Sequence, residues 1–180
     1  MPRFVVLLRG VNVGKGNRVP MADFRRILTT LGYTDVATLL ASGNAVFSAS
    51  GRSATTHARA IAAALTAQLD VSVPTIVLRA TELTAIVTGN PIVPPAADHS
   101  RFLVAFAQEA DALGTLAPLA TLATAPERLV IGEHAAYLHC ARGILESPVA
   151  AAMLGRAGRA VTTRNWATVL KLEALASTAA

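Results

Sequence analysis

The chain has 180 residues, 53% of them hydrophobic, and a formal net charge of +5 from sixteen Lys and Arg against eleven Asp and Glu. That length supports one substantial core or two small packed halves, and the apolar fraction excludes a disordered chain. No apolar run reaches the roughly 18 residues of a membrane span, and the opening MPRFVVLLRG reads as a strand closed by Arg9 rather than as a signal peptide. The single cysteine, Cys140, cannot form an internal disulfide. The expectations are a cytoplasmic protein with no membrane partner and Cys140 as a buried small hydrophobe.

In chain order, FVVLL at 4–8 reads as a buried strand, and Phe24, Ile27, Leu28 and Leu31 before Gly32 predict a helix over 21–31. VATLL at 36–40 and AVFSA at 45–49 flank the turn Ser42-Gly43-Asn44 and predict a hairpin. Residues 53–69 lack glycine and proline and place Ile61, Leu65 and Leu69 on one stripe, which predicts a helix. VPTIVLR at 73–79 predicts a fourth strand. This order, βαββαβ, is ferredoxin-like.

A short helix at 82–87 and the proline-rich GNPIVPPAAD then mark a boundary. The order returns with a strand at 102–107, a helix at 110–119 and a hairpin of RLVIG and AAYLHC around Glu133-His134. A helix at 147–154, a short strand at 159–161 and a final helix from Thr163 to about Ala176 follow. The fold class is therefore α+β, two ferredoxin-like (βαββαβ) subdomains in tandem with an extra C-terminal helix. The division is 1–80, a connector at 81–98, and 99–180.

Charge is concentrated at both ends. Residues 1–26 hold six cations against Asp23, and residues 142–171 hold five against Glu146. If the two segments met, they would raise the local concentration of phosphate-bearing partners; if they did not, the arginines would be scattered surface charge.

The stretch LRGVNVGKGNRVPM at 8–21 carries the most chemistry. Its glycines at 10, 14 and 16 match neither GxxxxGK[ST] nor GxGxxG, so neither a Walker A loop nor a dinucleotide fingerprint is present. What remains is generic: Gly10, Gly14 and Gly16 allow bare N–H groups to face an anion, and Arg9, Lys15 and Arg18 add charge-assisted contacts. Asn12 and Asn17 suit left-handed positions or a ligand edge, and the alternative is a long crossover that needs glycine for its bends. The turn Ser42, Gly43 and Asn44 is grouped with this loop as a candidate binding segment. A second candidate is Thr163, Arg164, Asn165 and Trp166, where Thr162 or Thr163 would cap the last helix and free N–H groups would attract an anion. Trp166 also suits a packing role, ahead of Val169, Leu172 and Ala176.

LLRGVNVGKGN, the SGN turn and TTRNWATVLKL together resemble an uncharacterised bacterial family, domain of unknown function 1697, over nearly the whole chain. The resemblance implies a pair of ferredoxin-like subdomains and supplies no activity, cofactor or catalytic residue. The family loop more often reads NVGGKN, whereas here Gly14-Lys15-Gly16-Asn17 exchanges glycine and lysine, and Pro148 replaces a lysine that often follows the serine.

Other constellations are sparse. His134, His139 and Cys140 lack zinc spacing, so no metal and no cofactor is expected. His57 and His99 are isolated and read as exposed, and no GxSxG elbow or paired carboxylates supply a catalytic set. Aromatic content of 4%, with Phe4 and Phe47 as sheet candidates, argues against base stacking on an open sheet. The expectation is a non-catalytic binder of a phosphate-bearing small molecule or nucleic acid. The alternatives are an enzyme acting on a small anionic metabolite, or a structural or protein-interaction module.

Overall fold

The computed structural model describes residues 1–51 and 53–178, so the last two residues of the second expected subdomain lie outside the described residues. The first unit runs β1 (Arg3–Leu8), α1 (Met21–Thr30), β2 (Thr34–Leu39), β3 (Asn44–Ser48), α2 (Ala54–Leu69) and β4 (Thr75–Arg79). Its antiparallel sheet has the order β2-β3-β1-β4. β1 pairs with β3 and β4, Val5 opposite Val46 and Leu78, as the ferredoxin-like order requires. Phe4–Leu8 of β1 and all of β3 are buried, as their central places require, and a strand covered on both faces needs no polar alternation. Phe4, Val6, Leu8 and Phe47 meet Phe24, Ile27 and Leu28 of α1 and Ile61 and Leu65 of α2 in one core. Ser53 caps α2 by accepting from the Thr56 N–H at 3.2 Å.

α3 (Ala80–Thr88) leads to a 3-10 helix at Ala96–Arg101 and then to β5 (Phe102–Ala107), α4 (Asp111–Gly114), β6 (Arg128–Ile131), β7 (Ala136–His139), α5 (Pro148–Leu154), β8 (Val161–Asn165) and α6 (Trp166–Ser177). The second sheet, β6-β7-β5-β8, repeats the first in order and sense. Leu103, Ala105 and Leu138 pack there with Leu113, Leu116, Val149 and Met153. Two ferredoxin-like subdomains in tandem with a terminal helix is thus the architecture.

Three local expectations change. The helix expected at 110–119 is two pieces, α4 and a 3-10 helix at Ala117–Leu122, because Gly114 closes the first and Pro118 stands in the first turn of the second without an N–H to donate. The final helix begins at Trp166, not Thr163. The β-branched run Val161–Thr163 instead extends along β5, placing Thr163 opposite Ala105 and Arg164 opposite Val104. His57 is buried, not exposed: it stands four and eight residues before Ile61 and Leu65, on the inward face of α2.

The chain divides into two compact units, residues 1–83 joined by the segment from Leu172 onward, and Thr84–Lys171. The division passes through α3 and α6. Within the first unit, Arg3 holds the end of α6, its guanidinium donating to the Thr178 carbonyl at 2.6 Å and the Leu175 carbonyl at 3.3 Å. A cation on those last carbonyls satisfies acceptors the helix leaves open.

Candidate anion-binding loop

Twelve residues, 9–20, join β1 to α1. Gly10, Asn12, Gly14 and Asn17 have φ of 65°, 57°, 60° and 45°, so the bends rely on glycine and asparagine, the residues for which that conformation is least costly. The loop is nevertheless tied down. The Asn12 carboxamide donates to the carbonyls of Val19 and Ala41 at 2.8 and 2.6 Å, and its oxygen accepts from the Val19 N–H at 2.9 Å. Its backbone N–H donates to the Asn17 carbonyl at 3.0 Å. Asn17 reaches the Gly10 carbonyl at 3.4 Å, and Arg18 reaches that of Gly14 at 3.1 Å. Val11 and Val19 are buried at either side of the bend.

The β2–β3 turn supports this loop from beneath. The Leu8 N–H donates to the Gly43 carbonyl at 2.8 Å. Gly43, at φ 80°, leaves no room for a side chain: a Cβ there would stand 2.7 Å from Leu8 Cβ and from Val11 Cγ2. Asn44 is fully buried and donates to the Leu39 carbonyl and Ser42 Oγ, both at 2.9 Å. Two candidate ligand groups are therefore committed within the protein. Asn12, half-buried, and Asn44, fully buried, hold the loop and the turn in shape, their carboxamides bonded to backbone and side-chain partners within the protein.

What the bracing leaves outside is the tip, Val13, Gly14, Lys15 and Gly16, all exposed. The N–H groups of Val13, Gly14 and Lys15 donate to no acceptor among the described residues, and Lys15 forms no ion pair there. No Asp or Glu occurs before Asp23, and none between Val36 and Leu69. Consecutive free N–H groups beside uncompensated positive charge attract anions. Arg9 is half-buried, and that burial lowers its guanidinium pKa from the ordinary value.

The second candidate segment is built differently. Thr163 and Arg164 belong to β8. Arg164 is buried, donates to Thr162 Oγ1 at 2.9 Å and to the Thr163 carbonyl at 2.7 Å, and burial pushes its pKa down to about 10. Asn165 is the residue that caps α6, its Oδ1 accepting from the Thr168 N–H at 2.9 Å. Trp166 packs edge-on against Phe102 with ring centroids 5.6 Å apart.

Two polar clusters in the second unit escaped the sequence reading. Asp98 bonds Arg101 and also His139, whose Nε2 lies 2.8 Å away; the histidine bond, then Arg101, hold the Asp98 carboxyl below its usual range. Ser147 donates to Glu127 and accepts from the Ala150 N–H at 2.9 Å, capping α5. Beside it the buried Cys140 thiol is pushed up to about 11, chiefly by desolvation. A thiol so raised stays protonated and unreactive, in keeping with a packing role. Partners 41 and 20 residues apart leave no local spacing to read. No group of metal-binding side chains occurs among the described residues, and no described helix is long and apolar enough to cross a membrane.

Comparison with known proteins agrees with this architecture. The model of the family described as Protein of unknown function (DUF1697) matches residues 1–137, and the chain belongs to that family. The matched region contains the β1–α1 loop and the Gly43 turn and ends before β8. Among solved structures, the chain is similar to the conserved bacterial protein SP0830 from Streptococcus pneumoniae. The TM-score is 0.70 at 24% identity, covering 98% of this chain and 99% of the other. That likeness concerns the fold. No curated protein matches the chain.

Proposed function

We propose that this protein is a non-catalytic binder of a phosphate-bearing ligand, a nucleotide or a nucleic-acid backbone, held at the β1–α1 loop. The observation that carries the reading is the braced tip, where the consecutive N–H groups of Val13, Gly14 and Lys15 have no acceptor among the described residues and the Lys15 ammonium lies in a segment free of carboxylates. Such a loop offers an anion donors already in place, so binding costs little ordering of the protein. Phe4 and Phe47 lie within the first unit's core, stacked on each other and, for Phe47, on Tyr33. Base stacking on the sheet is therefore not the mode of contact, and the loop is the place to look.

The experiment is a thermal-shift panel of inorganic phosphate, nucleotides, single-stranded DNA and duplex DNA at low and moderate salt. A ligand at about a hundred times its Kd stabilises by about 2.7 kcal/mol. In a chain of this size that amounts to roughly 5–10 °C in melting temperature. Lys15→Ala is expected to remove most of the shift while leaving the unliganded melting temperature unchanged, because Lys15 is exposed and forms no ion pair among the described residues. A panel with no shift at all overturns the proposal, as does a shift that survives Lys15→Ala intact.

A further inference from the structure

We infer that the occupant of this loop is single-stranded nucleic acid, recognised by its phosphates and by the apolar face of an unpaired nucleotide; this rests on the phosphate-binding reading above. Beside the cations stand two exposed aliphatic side chains, Val13 with 72% of its surface open and Leu40 with 52%. They come from different segments of the first unit. The bond from Asn12 to the Ala41 carbonyl joins those segments one residue away from each.

Leu40 is the more telling of the two. Its φ of 57° puts a bulky side chain in the left-handed region, where a leucine is a genuine outlier and where asparagine or glycine would relieve the backbone. Its exposure means that it gains little core packing in return. What a leucine supplies there, and an asparagine would not, is an apolar surface facing solvent, one residue from the bond that ties its segment to the cationic loop.

The chemistry of the surface narrows the occupant. Positive charge complements a polyanion, and the two segments that form the surface contain no Asp or Glu. The tip residues are all exposed, whereas a single small ligand gains affinity by being largely enclosed. An open cationic surface binds well only when several phosphates are engaged together. Exposed aliphatic groups then find a partner in the face of an unpaired base, which a duplex keeps within its stack.

The test is fluorescence anisotropy of a labelled twelve-residue oligothymidylate with the full chain at 50 and 200 mM salt. Competitors are the matching duplex, thymidine monophosphate, inorganic phosphate and vesicles of mixed anionic and neutral lipid. The strand is expected to bind at least tenfold more tightly than the duplex and to weaken steeply with salt. Val13→Ser and Leu40→Asn should each weaken the strand about fivefold, the scale set by covering part of one aliphatic side chain, and leave the salt slope unchanged. Lys15→Ala should reduce that slope by about one. Leu40→Asn should melt no lower than the parent, which separates lost binding from lost folding.

Equal competition by the duplex overturns this inference and leaves the phosphate reading standing. So does full strand affinity in both apolar variants while Lys15→Ala still weakens binding. Preference for the vesicles over the strand overturns it in favour of a lipid surface. Silence of strand, nucleotide and phosphate alike overturns both readings.

Discussion

The two units solve the same topological problem at very different length. From β1 to α1 the first unit uses twelve residues with three glycines and three cations. From β5 to α4 the second uses three, Gln108-Glu109-Ala110, and enters an acidic first turn at Asp111. Both segments open the first crossover of a βαββαβ sheet with the same strand order. The second unit is thus an internal control: a ferredoxin-like crossover closes without a long glycine-rich bend. The bracing of the longer loop by Asn12 and Gly43 is an addition to the fold, and additions of this kind are where binding sites reside.

The sharpest way to break the comparison is Gly43→Ala. A methyl group 2.7 Å from Leu8 Cβ and Val11 Cγ2, at a φ of 80°, combines overpacking with a left-handed alanine. The expected loss is about 3 kcal/mol in urea unfolding. A loss below about 1 kcal/mol would mean that the turn does not clamp the loop.

Next in size is Asn12→Ala. It leaves the Val19 N–H and two carbonyls without partners and puts alanine at φ 57°, for an expected cost of about 2 kcal/mol. Hydrogen exchange at the Val19 amide should accelerate strongly while the amides of β5 and β7 stay protected. Uniform acceleration across both units would show that the bracing is not local.

The smallest effect concerns acid and falls on the other unit. The Asp98 carboxyl has a folded pKa below its unfolded value, because His139 and Arg101 both favour its charged form. It therefore contributes stability above the unfolded pKa and loses it as the pH falls through the folded one. Below about pH 4, exchange in the second unit should rise before that in the first. Asp98→Asn should remove most of that difference, and an unchanged acid profile in the variant would assign it elsewhere.

Much of this was legible in the residues. FVVLL and FLVAFA read as strands because unbroken apolar runs of strand length suit burial on both sides, and their repetition around turn residues exposed the doubled order. The β1–α1 loop stood out because glycine and asparagine mark the left-handed positions the backbone adopts at 10, 12, 14 and 17. The same residues could not reveal that Asn12 spends its carboxamide on Val19 and Ala41, since a ligand and a carbonyl 29 residues away make the same demand on an amide. Nor could Thr163 announce a strand. A threonine before an apolar stripe is a good cap, and only pairing with β5, some sixty residues earlier, turns it into an extended position. His57 was the avoidable miss, for its spacing from Ile61 and Leu65 places it on the inward stripe, where Tyr33 OH meets its Nδ1 at 2.8 Å.

The grip of Arg3 on the end of α6 has a consequence for synthesis. The acceptor at Thr178 is 175 residues downstream, so at ordinary rates of elongation a ribosome delivers it roughly 10 to 35 s after Arg3. The first sheet has all its strands by Arg79, while the helix end that Arg3 holds is translated after the whole second unit. The bond between the first arginine and the end of α6 therefore forms only after the whole second unit has been translated.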